Sequence, residues 1–71
     1  MMDNLRFERH ADGFALVHIQ PGAARTVIST TRSLSSWNLH FHAETLVEEG
    51  WFGWNMSEAL IQLDRRAVQA N

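Results

Sequence analysis

The chain has 71 residues, no cysteine and a formal net charge of −2, which is enough for one small domain over residues 1–71. The lack of cysteine excludes a disulfide framework, and the N-terminal segment has no apolar run typical of a signal peptide. No stretch reaches the roughly 18 apolar residues that cross a bilayer. We therefore expect a cytoplasmic protein with no membrane partner.

Three strand patterns follow one another in the first part of the sequence. Residues 5–10 alternate apolar and polar side chains, residues 14–19 are apolar on both sides, and residues 25–31 are rich in β-branched side chains. The first pattern is typical of a half-buried strand, the second of a central strand, and the third of a further strand. Because short connections join all three, they predict an antiparallel meander.

The two connections each contain a turn signal. Residues 11–13 (Ala-Asp-Gly) predict a three-residue hairpin loop that is closed by a left-handed glycine. That register places Leu5 and Phe7 on the same face of the sheet as Val17. Residues 20–23 (Gln-Pro-Gly-Ala) predict a second tight turn, because proline presets the first central position and glycine supplies a positive φ at the second.

Residues 37–42 fit two kinds of secondary structure. From Trp37 to Phe41 apolar side chains alternate with polar ones, which is typical of a fourth strand. The apolar side chains of the same segment, continued to residue 50, also fit one face of a helix. Thr45 and Glu48 have the spacing of a capping box, which favours a helix that begins at Thr45. We therefore prefer a strand over residues 37–42 followed by a short helix, and the longer helix remains the alternative.

A second capping box is found at Asn55 and Glu58, and apolar side chains recur at helical spacing from Met56 onward. These features predict an amphipathic helix over roughly residues 56–70. The predicted fold class is thus α+β. It consists of an antiparallel three- to four-stranded β-meander, followed by a short helix and by a C-terminal amphipathic helix packed on one sheet face.

No sequence motif points to catalysis or to a cofactor. The chain lacks a G-x-S-x-G nucleophile elbow and a cysteine nucleophile, so we expect a protein that is not an enzyme and binds no cofactor. His40 and His42 would share one face of a strand, but a zinc site needs three or four converging ligands. We therefore expect no metal site.

The stretch GWFGWN, residues 50–55, holds three large aromatic side chains: Trp51, Phe52 and Trp54. Full burial of three such rings corresponds to roughly 11–19 kcal/mol of gross transfer free energy, which is as large as the net stability of a chain this size. The rings must therefore be covered, either by the protein's own sheet or by a partner. We predict a partner-binding site formed by these three residues, with Glu48 and Glu49 as an acidic rim.

These features favour a small, non-enzymatic protein–protein interaction module. We expect a regulatory or inhibitory accessory protein of bacterial or phage type, whose partner presents a basic surface or is a second copy of the chain. The alternative is single-stranded nucleic-acid binding through aromatic and arginine side chains of the sheet. The net negative charge makes nucleic acid the less favoured partner.

Overall fold

A computed structural model describes residues 4–22 and 24–70 of the chain. Within them the elements are, in order, β1 (Leu5–His10), β2 (Gly13–Ile19), β3 (Arg25–Thr31), α1 (Ser36–Glu48), a 3-10 turn (Trp51–Gly53) and α2 (Met56–Ala70). The strands form one antiparallel sheet in the order β1-β2-β3. The predicted α+β class and the meander are confirmed. Neither helix in these ranges is long and apolar enough to span a membrane.

The first hairpin loop differs from the predicted one. β1 and β2 pair His10 with Gly13, so the loop contains two residues instead of three. Ala11 takes the left-handed conformation, with φ 48°, and two-residue hairpins favour such turns because their twist matches that of the strands. Gly13 is needed for a different reason, because a Cβ atom there would lie 2.1 Å from the backbone oxygen of Thr31.

The second turn follows its sequence signal. Gly22 has a positive φ of 91°, as predicted for this glycine. The backbone N–H of Gln20 donates to the carbonyl of Ala24 at 2.8 Å and closes the connection. Ala23, the fourth residue of the predicted turn, lies outside the described residues.

The two-residue loop changes which side chains share a face of the sheet. Phe7 lies opposite Leu16 and Leu5 opposite His18, so the helix-covered face contains Leu16 and not Val17. The predicted register is therefore wrong by one residue in β2, and such a slip turns every side chain of a strand to the other face. The cause is the loop length, because the apolar run of β2 is compatible with either register.

The other face of the sheet carries a charged bridge over its central strand. Ala15 and Val17 are buried there, although the core cluster with the helices lies on the opposite face. Glu8 on β1 accepts hydrogen bonds from Arg25 on β3 and from Arg6, whose Nε lies 3.0 Å from the carboxylate. The hydrogen bond from Arg25, followed by that from Arg6, holds the pKa of the Glu8 carboxyl below its ordinary 4.5. The bridge thus links the outer strands above the small side chains between them.

α1 replaces the predicted fourth strand. The helix runs without a break from Ser36 to Glu48, so the prediction of a strand over residues 37–42 and of a helix beginning at Thr45 is wrong. The helical alternative is correct. In a helix, residues three and four apart lie on the same side, so the buried residues of this segment form one face towards the core. Those buried residues are Leu39, His42, Ala43 and Leu46.

Ser35, in the serine-rich connection after the sheet, caps α1. Its side chain accepts a hydrogen bond from the backbone N–H of Asn38 at 3.4 Å. Thr45 lies within the helix, where its hydroxyl donates to the carbonyl of Phe41 at 3.2 Å, as threonine often does inside helices. The apparent capping box of Thr45 and Glu48 therefore marks no helix start.

The second capping signal is confirmed at the start of α2. Oδ1 of Asn55 accepts a hydrogen bond from the backbone N–H of Glu58 at 2.9 Å, and α2 covers the predicted range. α1 packs against β3, α2 packs against β1, and the two helices pack against each other. The core lies between the helices and one face of the sheet, where the largest buried side chains include Leu16, Leu46 and Leu63.

Candidate functional site

The predicted aromatic site packs on the protein's own core. Trp51, Phe52 and Trp54 are half-buried against the core cluster. The ring centroids of Phe52 and Trp54 are 4.6 Å apart, and the ring of His18 makes edge contacts with Trp51 at 5.2 Å and with Phe52 at 5.3 Å. The three rings, which we call the aromatic layer, therefore cover the core and leave part of their own surface exposed.

Left-handed backbone conformations shape the aromatic layer. Gly50 and Gly53 have φ values of 74° and 69°, and Phe52 has φ 58°. This conformation costs a residue with a side chain about 1–2 kcal/mol, and the ring contacts of Phe52 offset that cost. The glycines allow the chain to turn between α1 and α2 within a few residues, because glycine adopts a positive φ without steric strain.

The two predicted rim carboxylates have different surroundings. Glu49 accepts a hydrogen bond from Nε1 of Trp51 at 3.0 Å, so it orients a ring of its own chain. Glu48 is exposed at the end of α1 and lines the same hollow as Glu44. Within the described part of the chain, neither Glu44 nor Glu48 forms an ion pair. These two carboxylates are therefore available to a partner.

Two other aromatic side chains project from α1. Trp37 is 83% exposed and Phe41 is 49% exposed, and their spacing of four residues places them on the same side of the helix. Together with Ser36, His40 and Glu44 they line a hollow of about 560 Å³. Large apolar side chains that are grouped in this way on a surface commonly mark an interaction site.

A second hollow lies between α1 and α2. His40 and Glu44 line both hollows, so the two are neighbours along α1, and we call the surface that they form together the helical groove. Its far end is bounded by Val47 and Glu48 of α1 and by Met56, Ser57 and Leu60 of α2. The helical groove thus has apolar side chains at both ends and two carboxylates along its α1 wall.

His40 and His42 do not share a face, because they lie on a helix. His40 is exposed in the helical groove, whereas His42 is buried, with Nδ1 bonded to the hydroxyl of Ser29 and Nε2 bonded to that of Thr31 at 2.9 Å. Burial lowers the pKa of His42 to about 4, because the charged ring would lose its hydration. Across residues 4–22 and 24–70, no group of three His, Asp or Glu side chains is placed to hold a metal ion.

The aromatic side chains of the sheet are engaged within the protein. Phe7 is buried beneath the helices, and the guanidinium of Arg9 lies 5.2 Å from the ring centroid of Phe14. Two further arginines of the sheet are bound to Glu8. Base stacking needs accessible ring faces and free cations, and the rings of Phe7 and Phe14 and the arginines named here already have partners within the chain.

Comparison with known proteins leaves the site to be interpreted from its own geometry. The chain matches no protein-family model, no curated protein and no solved structure. Sequence reasoning assigned Trp37 and Phe41 to a strand and counted them among the aromatic side chains of the nucleic-acid alternative, but it did not include them in the protein-binding site. The signal that could have identified them is their i, i+4 spacing directly after Ser35, a residue type that favours helix N-caps.

Proposed function

We propose that the chain is a small, non-enzymatic protein–protein interaction module whose contact surface is the helical groove. The observation that carries this proposal is Trp37, which is 83% exposed on α1. Tryptophan is among the residues most enriched at the energetic centres of interfaces. About 200 Å² of exposed ring at about 25 cal/mol/Å² forgoes on the order of 5 kcal/mol of gross transfer free energy.

That unrealised free energy is large for a protein of this length. A chain of 71 residues has an expected net stability of roughly 4–11 kcal/mol. Phe41 adds a second exposed ring one helical turn along α1. A partner that covers both rings gains their transfer free energy on binding, which supports a binding role for this surface.

The predicted site residues enter the proposal in two ways. Glu48 joins Glu44 in the wall of the helical groove. Trp51, Phe52 and Trp54, which the sequence predicts as the centre of the site, enter this proposal as a second contact, through the parts of the aromatic layer that remain exposed. A regulatory or inhibitory accessory role of bacterial or phage type is consistent with a chain this small, and this part of the proposal rests on length and composition alone.

Affinity capture with matched variants tests the proposal. Tagged wild type, Trp37→Ala and Val68→Ala serve as baits in a nuclease-treated extract of the source cells. Val68 is 72% exposed on α2 and does not line the helical groove. It is the matched control, because its truncation also removes an exposed apolar side chain.

We expect a protein that wild type and Val68→Ala retain and that Trp37→Ala loses. The thermal midpoints of the three baits should agree within a few degrees, because substitutions of exposed side chains change stability by only about 0.5 kcal/mol. Equal recovery of every bound protein by Trp37→Ala would contradict the proposed surface. A protein that is recovered from an untreated extract but not from the nuclease-treated one would favour the nucleic-acid alternative instead.

A further inference from the structure

We infer that the partner inserts a basic amphipathic helix into the helical groove, an inference that rests on the proposed function. The hollow beside Trp37 is lined by α1 alone and the neighbouring one by α1 and α2, and no strand residue lines either hollow, which favours a helix over an added strand as the occupant. Between Trp37 and Glu48 the groove follows α1 for roughly 17 Å, at about 1.5 Å per residue. A partner helix of about three turns spans that length.

The apolar side chains of the groove match the anchor pattern of a docked helix. Trp37 and Phe41 lie at one end of the groove, and Met56 and Leu60 line the other end. Helices that bind in grooves bury apolar residues at positions i, i+3 or i+4, and i+7 on one face. Anchors that are two turns apart, about 11 Å, can contact both apolar ends.

The charge of the groove selects a basic partner. Glu44 and Glu48 lie along its α1 wall, and no arginine is among the described side chains that line it. Charges around an apolar contact act mainly on the association rate and on selectivity. Lysine or arginine beside the apolar anchors therefore complements this wall, whereas the phosphates of nucleic acids and of anionic lipids are repelled by it.

The place of these carboxylates within α1 also favours a basic partner. The C-terminal end of a helix carries a partial negative charge, so acidic side chains there are unfavourable and basic ones are favourable. Glu48 ends α1, Glu44 lies one turn before it, and the last turn contains no basic residue. A cationic helix docked at this end removes that repulsion.

A pair of synthetic peptides tests the inference. Both are designed as amphipathic helices of about five turns with leucine at i, i+3, i+4 and i+7 spacing, and the remaining positions are lysine in one and glutamate in the other. Binding of each labelled peptide to the full chain is measured by fluorescence anisotropy at several salt concentrations. The chain variants are Trp37→Ala, the double variant Glu44→Lys/Glu48→Lys, and Val68→Ala as the control, and circular dichroism verifies that each is folded.

We expect the lysine peptide to bind wild type and Val68→Ala equally, and more weakly as salt rises. Trp37→Ala should weaken its binding about 30-fold, as loss of a central aromatic anchor does. The double variant should reverse the preference, so that the glutamate peptide becomes the tighter ligand.

Three results would overturn the inference: equal binding of the two peptides, an unchanged preference in the double variant, or no binding of the lysine peptide at millimolar concentration. They can be told apart from a failure of the proposed function, because the capture experiment depends on Trp37 and not on charge. A captured partner that is lost with Trp37→Ala but retained by the double variant would leave the proposed function standing and refute the basic helix.

Discussion

His42 makes the stability of the fold depend on pH in a way that can be measured on the isolated protein. The ring is buried between α1 and the sheet, where the hydroxyls of Ser29 and Thr31 bond its two nitrogens and the ring of Phe7 lies 5.2 Å away. Loss of hydration lowers the pKa of His42 from its ordinary 6.5 to about 4. The folded protein therefore resists protonation in a range where the unfolded chain binds a proton.

The size of the effect follows from these two pKa values. At about 1.4 kcal/mol per pKa unit, the difference between 6.5 and about 4 corresponds to roughly 3 kcal/mol. Because the unfolded chain binds more protons in this range, the free energy of unfolding is highest above pH 6.5 and falls as the pH drops toward 4. This loss is a large share of the roughly 4–11 kcal/mol expected for the whole chain.

Urea unfolding at intervals between pH 7 and pH 5 measures how the free energy of unfolding changes with pH. Glu8 does not interfere in this interval, because its pKa lies below 4.5. The variants are His42→Gln, whose amide can bond to both hydroxyls but does not titrate, and His40→Gln, a control on the exposed side of the same helix. Wild type and His40→Gln should lose about 2 kcal/mol over this interval, and His42→Gln should lose much less.

A wild-type stability that stays level between pH 7 and pH 5 would refute the reasoning about His42. An equal slope in His42→Gln would do the same, since the effect would then belong to another group. NMR gives a direct check, because the ring-proton shift of His42 should stay constant down to about pH 5 if burial keeps the imidazole neutral.

Substitutions at a turn, at a helix cap and in the charged bridge give further measurable outcomes. Ala11→Gly should raise the free energy of unfolding in urea by about 0.5–1 kcal/mol, because glycine takes φ 48° without the left-handed penalty; a decrease would contradict this account of the loop. Asn55→Ala should lower the free energy of unfolding by about 1 kcal/mol, because it removes the cap of α2. Asn55→Asp should lower the free energy of unfolding much less, since aspartate also caps helices, and equal losses in the two variants would exclude the cap as the cause. Arg25→Ala should move the pKa of Glu8 toward 4.5 in a carboxyl-carbon NMR titration, and an unchanged value would show that Arg25 is not its main cause.

Local signals were sufficient to predict the bounds of β3 and α2 and the turn before β3. The β-branched run of residues 25–31, the proline–glycine turn after β2 and the cap at Asn55 each act over only a few residues. Such features need no knowledge of the rest of the fold. The elements that they define therefore have the predicted bounds.

The strand register and α1 depend on contacts that are distant in sequence. Residues 11–13 are compatible with a hairpin loop of two or of three residues. The structure has the two-residue loop, in which Gly13 lies in β2 and closely approaches Thr31 of β3. The alternation from Trp37 to Phe41 resembles a strand, but it arises from a helix whose Leu39 faces the core while both aromatic residues face solvent. A short apolar run cannot distinguish these cases by its period alone.

The position of the candidate surface depends on packing that the sequence does not display. The sequence predicts an acidic rim beside Trp51, Phe52 and Trp54, whereas Glu48 lines a hollow between α1 and α2. The aromatic-rich stretch drew attention to Trp51 and Trp54, which are half-buried against the core. Exposure of Trp37 depends on which side of α1 the sheet covers, and that is settled only by tertiary packing.

Both edge strands of the sheet have features that hinder pairing with another chain. Nε of Arg66 on α2 donates to the carbonyl of Leu5 at 2.7 Å and occupies a backbone acceptor on β1. β3 carries a bulge opposite Leu16 and Val17. Charged cover and bulges both prevent another chain from adding as a further strand. Undocking of α2 would free this acceptor on β1, so the last helix also helps to block that edge against a further strand.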